Sequence, residues 1–432
     1  MPGKYKTPRG TRDFLPEEMI SRNYIFSQIK NVFERFGFNP LETPAFEEWA
    51  LLKKKGSGGN EIKDEIYYFK DKSERELGLR FDLTVPTARV VANNPQLPKP
   101  FKRYQIGRVW RYDRPQAGRF REFWQADVDI IGSEKMDCEA ECIAIAVETL
   151  KQLGFKDFSI RLNNRKVLNG LIELTKIENP AQAFRILDKL EKIGEKEVLK
   201  QLEHLTGEKK AKKLLQMISI KGRPDNVISK GRDLLKGIKT AEEGLSELEE
   251  IVQKSKTYGT ADKISIDFSL VRGLDYYTGP IYEISIKSKT SVGSVAGGGR
   301  YDNLIGLYGG KQTPASGFSF GVERIYEIMK NDGMLKVQKT YTRVFVVSVN
   351  NDARENVLKL AQKLRKQGIP TETDMLGRNL RKQMEYINSS GIPYALIVGE
   401  REIKAGRFTL RDMKTGKEKW IGLNELVKAL KL

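Results

Sequence analysis

The stretch Leu270-Val271-Arg272-Gly273-Leu274-Asp275-Tyr276-Tyr277-Thr278-Gly279 follows a segment, Ile264 to Phe268, that reads as a strand. It sets a guanidinium, a carboxylate and two phenols within six residues. At a strand edge such a cluster can hold a small zwitterion that carries a polar ring. Two more stretches stand out on either side. Upstream lies Trp110-Arg111-Tyr112-Asp113-Arg114-Pro115-Gln116-Ala117-Gly118-Arg119-Phe120-Arg121-Glu122-Phe123-Trp124-Gln125, and downstream Ser316-Gly317-Phe318-Ser319-Phe320-Gly321-Val322-Glu323-Arg324-Ile325.

The rest of the chain bounds what these stretches can do. Its 432 residues predict two to four domains. No apolar run approaches the roughly 18 residues that cross a bilayer, and the basic, Gly/Pro-rich start has no apolar signal-peptide segment. The expectation is a cytosolic protein with no membrane partner. Net charge is +19, from 76 basic and 57 acidic residues. Such a balance favours a polyanionic partner, because basic side chains displace counterions condensed on phosphates; a highly charged surface adapted to heat or salt is the alternative. Cys138 and Cys142 sit i, i+4 in an apolar helical segment and read as small core side chains. The single histidine, His204, speaks against His-based acid–base catalysis. The chemistry must then rest on positioning, electrostatics or the substrate's own groups.

Periodicity divides the chain. Glu17 to Phe36 reads as an amphipathic helix with Ile25, Ile29, Val32, Phe33 and Phe36 on one face, stopped by Gly37. An extended segment through Leu41 and Pro44 follows. Leu77, Leu79 and Phe81 alternate as in a half-buried strand, and a helix begins after Asp82. Phe101 to Val109 and Phe123 to Ile131 read as antiparallel strands joined by an arginine-rich loop. Glu134 to Leu153 reads as a helix, and Phe158 to Leu162 as a strand. From 173 to 255 the texture becomes helical, with 17 Lys/Arg, 15 Asp/Glu and Phe184 as its sole aromatic residue. Strands return from Lys263 to Ile286. Gly297-Gly298-Gly299 marks a close backbone approach inside the next strand. After a polar linker, alternating strands and helices from Arg343 onward predict a mostly parallel sheet in an α/β domain. Residues 343–432 hold 18 Lys/Arg and 10 Asp/Glu, so about a fifth of the chain carries about two-fifths of the excess charge, the footprint of an RNA-binding domain.

Taken in order, the three stretches resemble those of the histidyl-tRNA synthetase family, class II aminoacyl-tRNA synthetases, and the resemblance runs over nearly the whole chain. It implies an α+β catalytic core with the class II antiparallel β-sheet flanked by helices, a helical insertion and a C-terminal α/β anticodon-binding domain. The implied boundaries are 1–172 and 256–331 for the two parts of the core, 173–255 for the insertion, 332–342 for a linker and 343–432 for the anticodon domain. The long first helix and the strand ending at proline are similar to the dimer-forming motif of class II enzymes, which implies a homodimer.

The resemblance also implies roles. Arg111-Tyr112-Asp113 has the spacing of the family's Arg-x-Glu signature: Arg111 would bind the α-phosphate of ATP and the amino acid carboxylate, and Asp113 the adenine amino group. A guanidinium can grip two oxyanions at once. Gly321-Val322-Glu323-Arg324 is similar to the third class II motif, with Arg324 against the γ-phosphate or the adenine ring at a helix N-terminus. Arg272 would lie between carboxylate and α-phosphate as a catalytic cation, beside Arg111. Asp82, Thr84 and Gln125 would hold the α-ammonium, Asp129 the ring N–H and Tyr277 the imidazole. Tyr276 joins the histidine-binding set, although edge-strand packing is the alternative that suits it better than Tyr277. Arg114 and Gln116 would meet the acceptor end of tRNA(His). ATP is the implied co-substrate, with Mg²⁺ and no protein metal ligand assigned. Three alternatives stand beside this reading: a non-catalytic paralogue that senses histidine and regulates a biosynthetic enzyme, another class II synthetase, and an RNA-binding module without catalysis.

Overall fold

The computed structural model of the chain describes residues 5–54, 65–112, 120–271, 276–290, 293–335 and 338–431. These fall into two compact units: Met1–Arg12 with Ile25–Met334, and Asp13–Tyr24 with Leu335–Leu432.

The larger unit is organised by a nine-stranded sheet. Its order is Asn39–Pro40, Phe101–Trp110, Glu122–Ile131, Ala315–Gly321, Ala296–Arg300, Pro280–Ile286, Phe158–Asn164, Ile264–Asp267 and Lys221–Gly222. All pairings are antiparallel except Asn39–Pro40 with Phe101–Trp110 and Phe158–Asn164 with Ile264–Asp267. Side chains alternate across each strand, so one rung, Tyr104, Val128 and Phe318, faces one side and the next, Gln105, Asp127 and Ser319, faces the other. The apolar side is covered by helices. Ile25, Ile29, Val32 and Phe33, on helix Pro16–Arg35, are fully buried, and the Phe33 ring stands edge-on to Phe318 at 6.5 Å. Phe36, expected on that face, is only half-buried. Helix Asp137–Gln152 covers the same sheet; its small Cys138, Ala140, Cys142 and Ala144 are buried, and Asp137 and Glu139 complement the positive end of its dipole.

The glycine run is required by packing. A side chain at Gly298 would overlap the Gly317 carbonyl and Phe318 on the adjacent strand. The last residue of that strand, Arg300, is tied to helix Asp137–Gln152 by a bidentate pair with Glu139, with both N–O distances at 2.9 Å. Arg300 also donates to the carbonyls of Ser133 and Lys135, and both charged partners are buried.

Between 173 and 255 the chain is almost wholly helical, from the end of Arg165–Thr175 to Lys239–Thr257. Asn179 caps one helix by accepting from the Gln182 N–H, with Pro180 at its first position. One short strand, Lys221–Gly222, interrupts the helices and joins the edge of the large sheet.

The smaller unit carries a five-stranded sheet ordered Thr371–Thr373, Val344–Ser348, Tyr394–Val398, Arg407–Asp412 and Glu418–Gly422. Helices Arg354–Lys366 and Leu423–Lys431 pack on the face of Val344, Val346 and Leu396; helix Leu380–Ser389 packs on the face of Phe345 and Val347. The sheet is less parallel than expected, because its last two pairings are antiparallel. A tight turn at Met413–Gly416, with Gly416 at φ +71°, folds the chain into a hairpin rather than another crossover.

The Arg300–Glu139 pair generates the first prediction. Glu139→Ala leaves a buried guanidinium without its countercharge, which costs about 3–5 kcal/mol. Urea unfolding of the purified variant should show that loss; a change below about 1 kcal/mol would mean that water reaches Arg300 and the pair holds little together.

Candidate active site

The polar face of the large sheet is the floor of a cavity of about 350 Å³. Along strand Glu122–Ile131, Gln125, Asp127 and Asp129 point into it. Cross-strand register sets Arg103 and Gly317 beside Asp129, Gln105 and Ser319 beside Asp127, and Gly107 and Gly321 beside Gln125. Asp82, Thr84, Tyr276, Tyr277, Arg111 and Arg324 line the walls. Six segments far apart in sequence therefore meet in one cavity.

The two ends differ in charge. At the Asp129 end, the fully buried Arg103 guanidinium pairs with Asp129 Oδ2, and the Tyr301 hydroxyl donates to Asp129 Oδ1. A side chain at Gly317 would overlap the Asp129 carboxyl, so glycine is what lets this carboxylate lie across the neighbouring strand. The Tyr276 ring lies 4.5 Å from that of Tyr277 and meets Tyr301 edge-on at 6.1 Å. Tyr276 thus lines the cavity beside Tyr277; neither belongs to a strand, since Pro280–Ile286 begins after them. At the other end, Arg111 Nε donates to the Phe81 carbonyl at 2.9 Å and its guanidinium lies 5.3 Å from the Phe123 ring centre. Arg324, two residues into helix Val322–Asn331, donates to the Ser294 carbonyl. Glu323 Oε2 accepts from the Trp124 N–H at 2.9 Å, joining the helix start to the floor strand.

Burial shapes the acid end. It pushes the Asp127 carboxyl up to about 7; Arg103 pulls it down, and the charges of Asp129 and Asp82 raise it further. Burial also raises Asp129 against the opposing pull of Arg103 and the Tyr301 hydroxyl. Asp82 Oδ1 accepts from the Val85 N–H at 3.1 Å and so anchors the start of helix Thr84–Asn93. Among the expected site residues, Asp82, Thr84, Arg111, Gln125, Asp129, Tyr276, Tyr277 and Arg324 meet here. Arg272, Asp113, Arg114 and Gln116 lie outside the described residues.

Comparison with known proteins decides the family. The model of histidyl-tRNA synthetase matches residues 10–325, and that of the anticodon binding domain matches 343–431. The chain belongs to the histidyl-tRNA synthetase family. It is 39% identical to the histidine–tRNA ligase of Pyrococcus horikoshii over 425 residues, 98% of each chain. It is 40% identical to that of Aeropyrum pernix over 433 residues, 99% of this chain and 98% of the relative. The crystal structure of histidyl-tRNA synthetase from Nostoc sp. superposes with a TM-score of 0.87 at 32% identity, covering 99% of both chains. These matches span the catalytic and anticodon-binding parts alike, so the regulatory-paralogue reading is not favoured.

Within this histidyl-tRNA synthetase fold, sequence reasoning named Gln125 and Asp129 and passed over Asp127. The signal was present: strand alternation puts 125, 127 and 129 on one face. Arg103, Tyr301 and Ser319 were out of reach, because they depend on the register of three strands distant in sequence.

The geometry changes what substitution at Asp129 should do. Asp129→Ala unpairs a fully buried arginine, so it should lower stability by about 3–5 kcal/mol as well as weaken histidine binding. Gly317→Ala leaves the Arg103 pair chemically intact but crowds the carboxyl. A side chain there also overlaps the Val128 backbone carbonyl, so the variant should lower the melting temperature and raise the histidine KM together. Melting curves and pyrophosphate-exchange kinetics on both variants check this; an unchanged melting temperature for Gly317→Ala would show that the two strands move apart at no cost.

Proposed function

We propose that this chain is a histidine–tRNA ligase: it activates histidine with ATP to histidyl-adenylate and transfers the histidyl group to the 3′ end of tRNA(His), releasing AMP and pyrophosphate. The observation that carries the reading is the polarity of one cavity, with carboxylates and phenols at one end of a strand and arginines at the other. An amino acid lying along the floor would set its ammonium and polar ring among Asp82, Thr84, Gln125, Asp129, Tyr276 and Tyr277. Its carboxylate would then point toward Arg111, where the α-phosphate of ATP belongs, with Arg324 on the nucleotide and Asp113 on the adenine. The carboxylate is already ionised and is its own nucleophile. The protein has to align it with the α-phosphorus and stabilise charge that builds there, a task for Arg111 and Arg272.

ATP phosphates carry Mg²⁺ in such reactions, with few protein ligands. The domain division inferred from sequence, with an insertion at 173–255, a linker at 332–342 and an anticodon-binding domain from 343, is part of the same proposal. So is the loop carrying Arg114 and Gln116 as the contact to the acceptor end of tRNA. The homodimer finds support in the small sheet of Phe46–Glu48, Tyr68–Lys70 and Glu76–Leu79, where Phe46, Tyr68 and Phe69 are exposed; apolar faces of that kind mark interaction surfaces. A cytosolic location suits a partner such as tRNA, and no helix among the described residues is long and apolar enough to cross a membrane.

Pyrophosphate exchange tested with all twenty amino acids should respond to histidine alone, and Arg272→Ala should slow it about a hundredfold, the scale for losing one transition-state donor. Exchange with a different amino acid would refute the substrate; an unchanged rate in the variant would remove Arg272 from the chemistry. Deleting residues 343–432 should weaken tRNA binding and flatten its dependence on salt, since this part holds 18 basic against 10 acidic residues. Binding that stays as tight and as salt-sensitive would relocate the RNA contact to the larger unit.

A further inference from the structure

Three buried oxygens on the cavity floor accept no hydrogen bond from the described residues: Gln125 Oε1, Asp127 Oδ1 and Asp129 Oδ2. The last is ion-paired with Arg103, which leaves Gln125 Oε1 and Asp127 Oδ1. They belong to consecutive inward positions of one strand, so their Cα atoms are about 7 Å apart. The Gln125 amide is oriented by its own nitrogen, which donates to Ser319 Oγ at 2.7 Å. Ser319 in turn engages the Asp127 carboxyl. That chain points the Gln125 oxygen away from Ser319 and holds Asp127 in place. A buried acceptor without a donor costs about 1–3 kcal/mol, and two side by side call for one group rich in donors. A primary ammonium has three N–H bonds. A neutral imidazole ring has one, and its natural acceptor is Asp129 at the far end of the strand.

Charge points the same way. Three carboxyls, Asp82, Asp127 and Asp129, act on one another at this end of the cavity. Among the described residues, Arg103 is a fully buried cation beside them, and it pairs with Asp129 rather than Asp127. Asp129 is neutralised by Arg103 at Oδ2 and accepts from Tyr301 at Oδ1, with lone pairs left for a ring N–H. Among the described residues, Asp127 keeps a free acceptor and forms no ion pair, and it faces Asp82 and Asp129, both of like charge. We infer that Asp127 is a further substrate-binding and specificity-determining residue, whose carboxylate receives the α-ammonium of the amino acid together with Gln125. The inference rests on the reading of this cavity as the amino-acid site. The upward push on Asp127 agrees with it: the carboxylate is costly when alone and is stabilised once an ammonium arrives.

The test compares wild type with Asp127→Asn in pyrophosphate exchange, using two competitive inhibitors. Histidinol keeps the ammonium; 3-(imidazol-4-yl)propanoate lacks it and keeps the ring. The substitution should raise the histidine KM roughly tenfold to a hundredfold, the scale for a charge-assisted hydrogen bond, and weaken histidinol to a similar degree. Inhibition by the deaminated analogue and the ATP KM should not move. An unchanged histidine KM, or equal weakening of both inhibitors, overturns the inference. Removing a buried charge should not unfold the protein; should Asp127→Asn melt below the assay temperature, Asp127→Ser takes its place, and failure of both to fold would show Asp127 to be structural. A wild-type enzyme that does not respond to histidine would refute the proposed function itself, whereas a responsive wild type with an indifferent Asp127→Asn refutes only the role of Asp127.

Discussion

The buried pair of Arg103 and Asp129 is the constraint on which the rest of the site depends. Taking two ions out of water costs several kcal/mol each, and their attraction offsets this only when geometry and additional hydrogen bonds are good. The surroundings supply those conditions. Arg103 and Asp129 are direct partners in the ladder between Phe101–Trp110 and Glu122–Ile131, so the backbone holds them together before any side chain moves. Tyr301 gives Asp129 a second donor, and Gly317 leaves room for the carboxyl to lie across the next strand. Changing any of these four disturbs the other three. Asp127 shares this floor and, among the described residues, forms no ion pair of its own, so the ions that organise the fold also shape the cavity beside it.

Much of this was legible in the sequence, and the boundary of legibility is physical. Helix Pro16–Arg35 and the hairpin from Phe101 to Ile131 announce themselves by local period, because amphipathic alternation depends only on residues near in sequence. The three site stretches carried a family resemblance that brought Gln125, Asp129 and Arg324 with it. Arg103 could not be found that way. On the chain it is one basic residue among 76, and only the register with Asp129 gives it meaning. Tyr301 likewise follows a glycine strand with nothing in its neighbours to mark it. The parallel character of the smaller sheet was overestimated for a related reason. Lys417 to Gly422 has too little apolar alternation to signal a strand, so the hairpin it forms with Arg407–Asp412 is a product of the turn at Gly416 and of pairing, not of local pattern.

The protein as a whole is strongly basic, yet the floor of its cavity is acidic, and the contrast is useful. Long-range attraction toward a polyanion depends on the summed charge of the surface and weakens with salt. Selection of the amino acid depends on a few buried groups that salt screens poorly. On the proposed reading the two tasks can be tuned separately: the basic residues of the smaller unit are assigned to RNA, and Asp82, Asp127 and Asp129 to the small amino acid.

The same separation explains how an enzyme with one histidine can run this reaction. His204 is exposed on helix Glu195–Thr206 and is not among the residues lining the cavity. No general base is needed for the first step if the carboxylate enters already ionised and is held in line with the phosphorus. What the protein must supply is direction. A cavity uniformly positive would bind the carboxylate and the triphosphate but leave the ammonium to wander. One uniformly negative would repel both anions. The cavity has carboxyls at the Asp129 end of a single strand and Arg111 and Arg324 near its other end; on the proposed reading this gives the zwitterion one orientation of low energy, with its nucleophile facing the nucleotide. On that reading, electrostatic polarity along the strand Glu122–Ile131 stands in for acid–base chemistry, and positioning is the catalytic device.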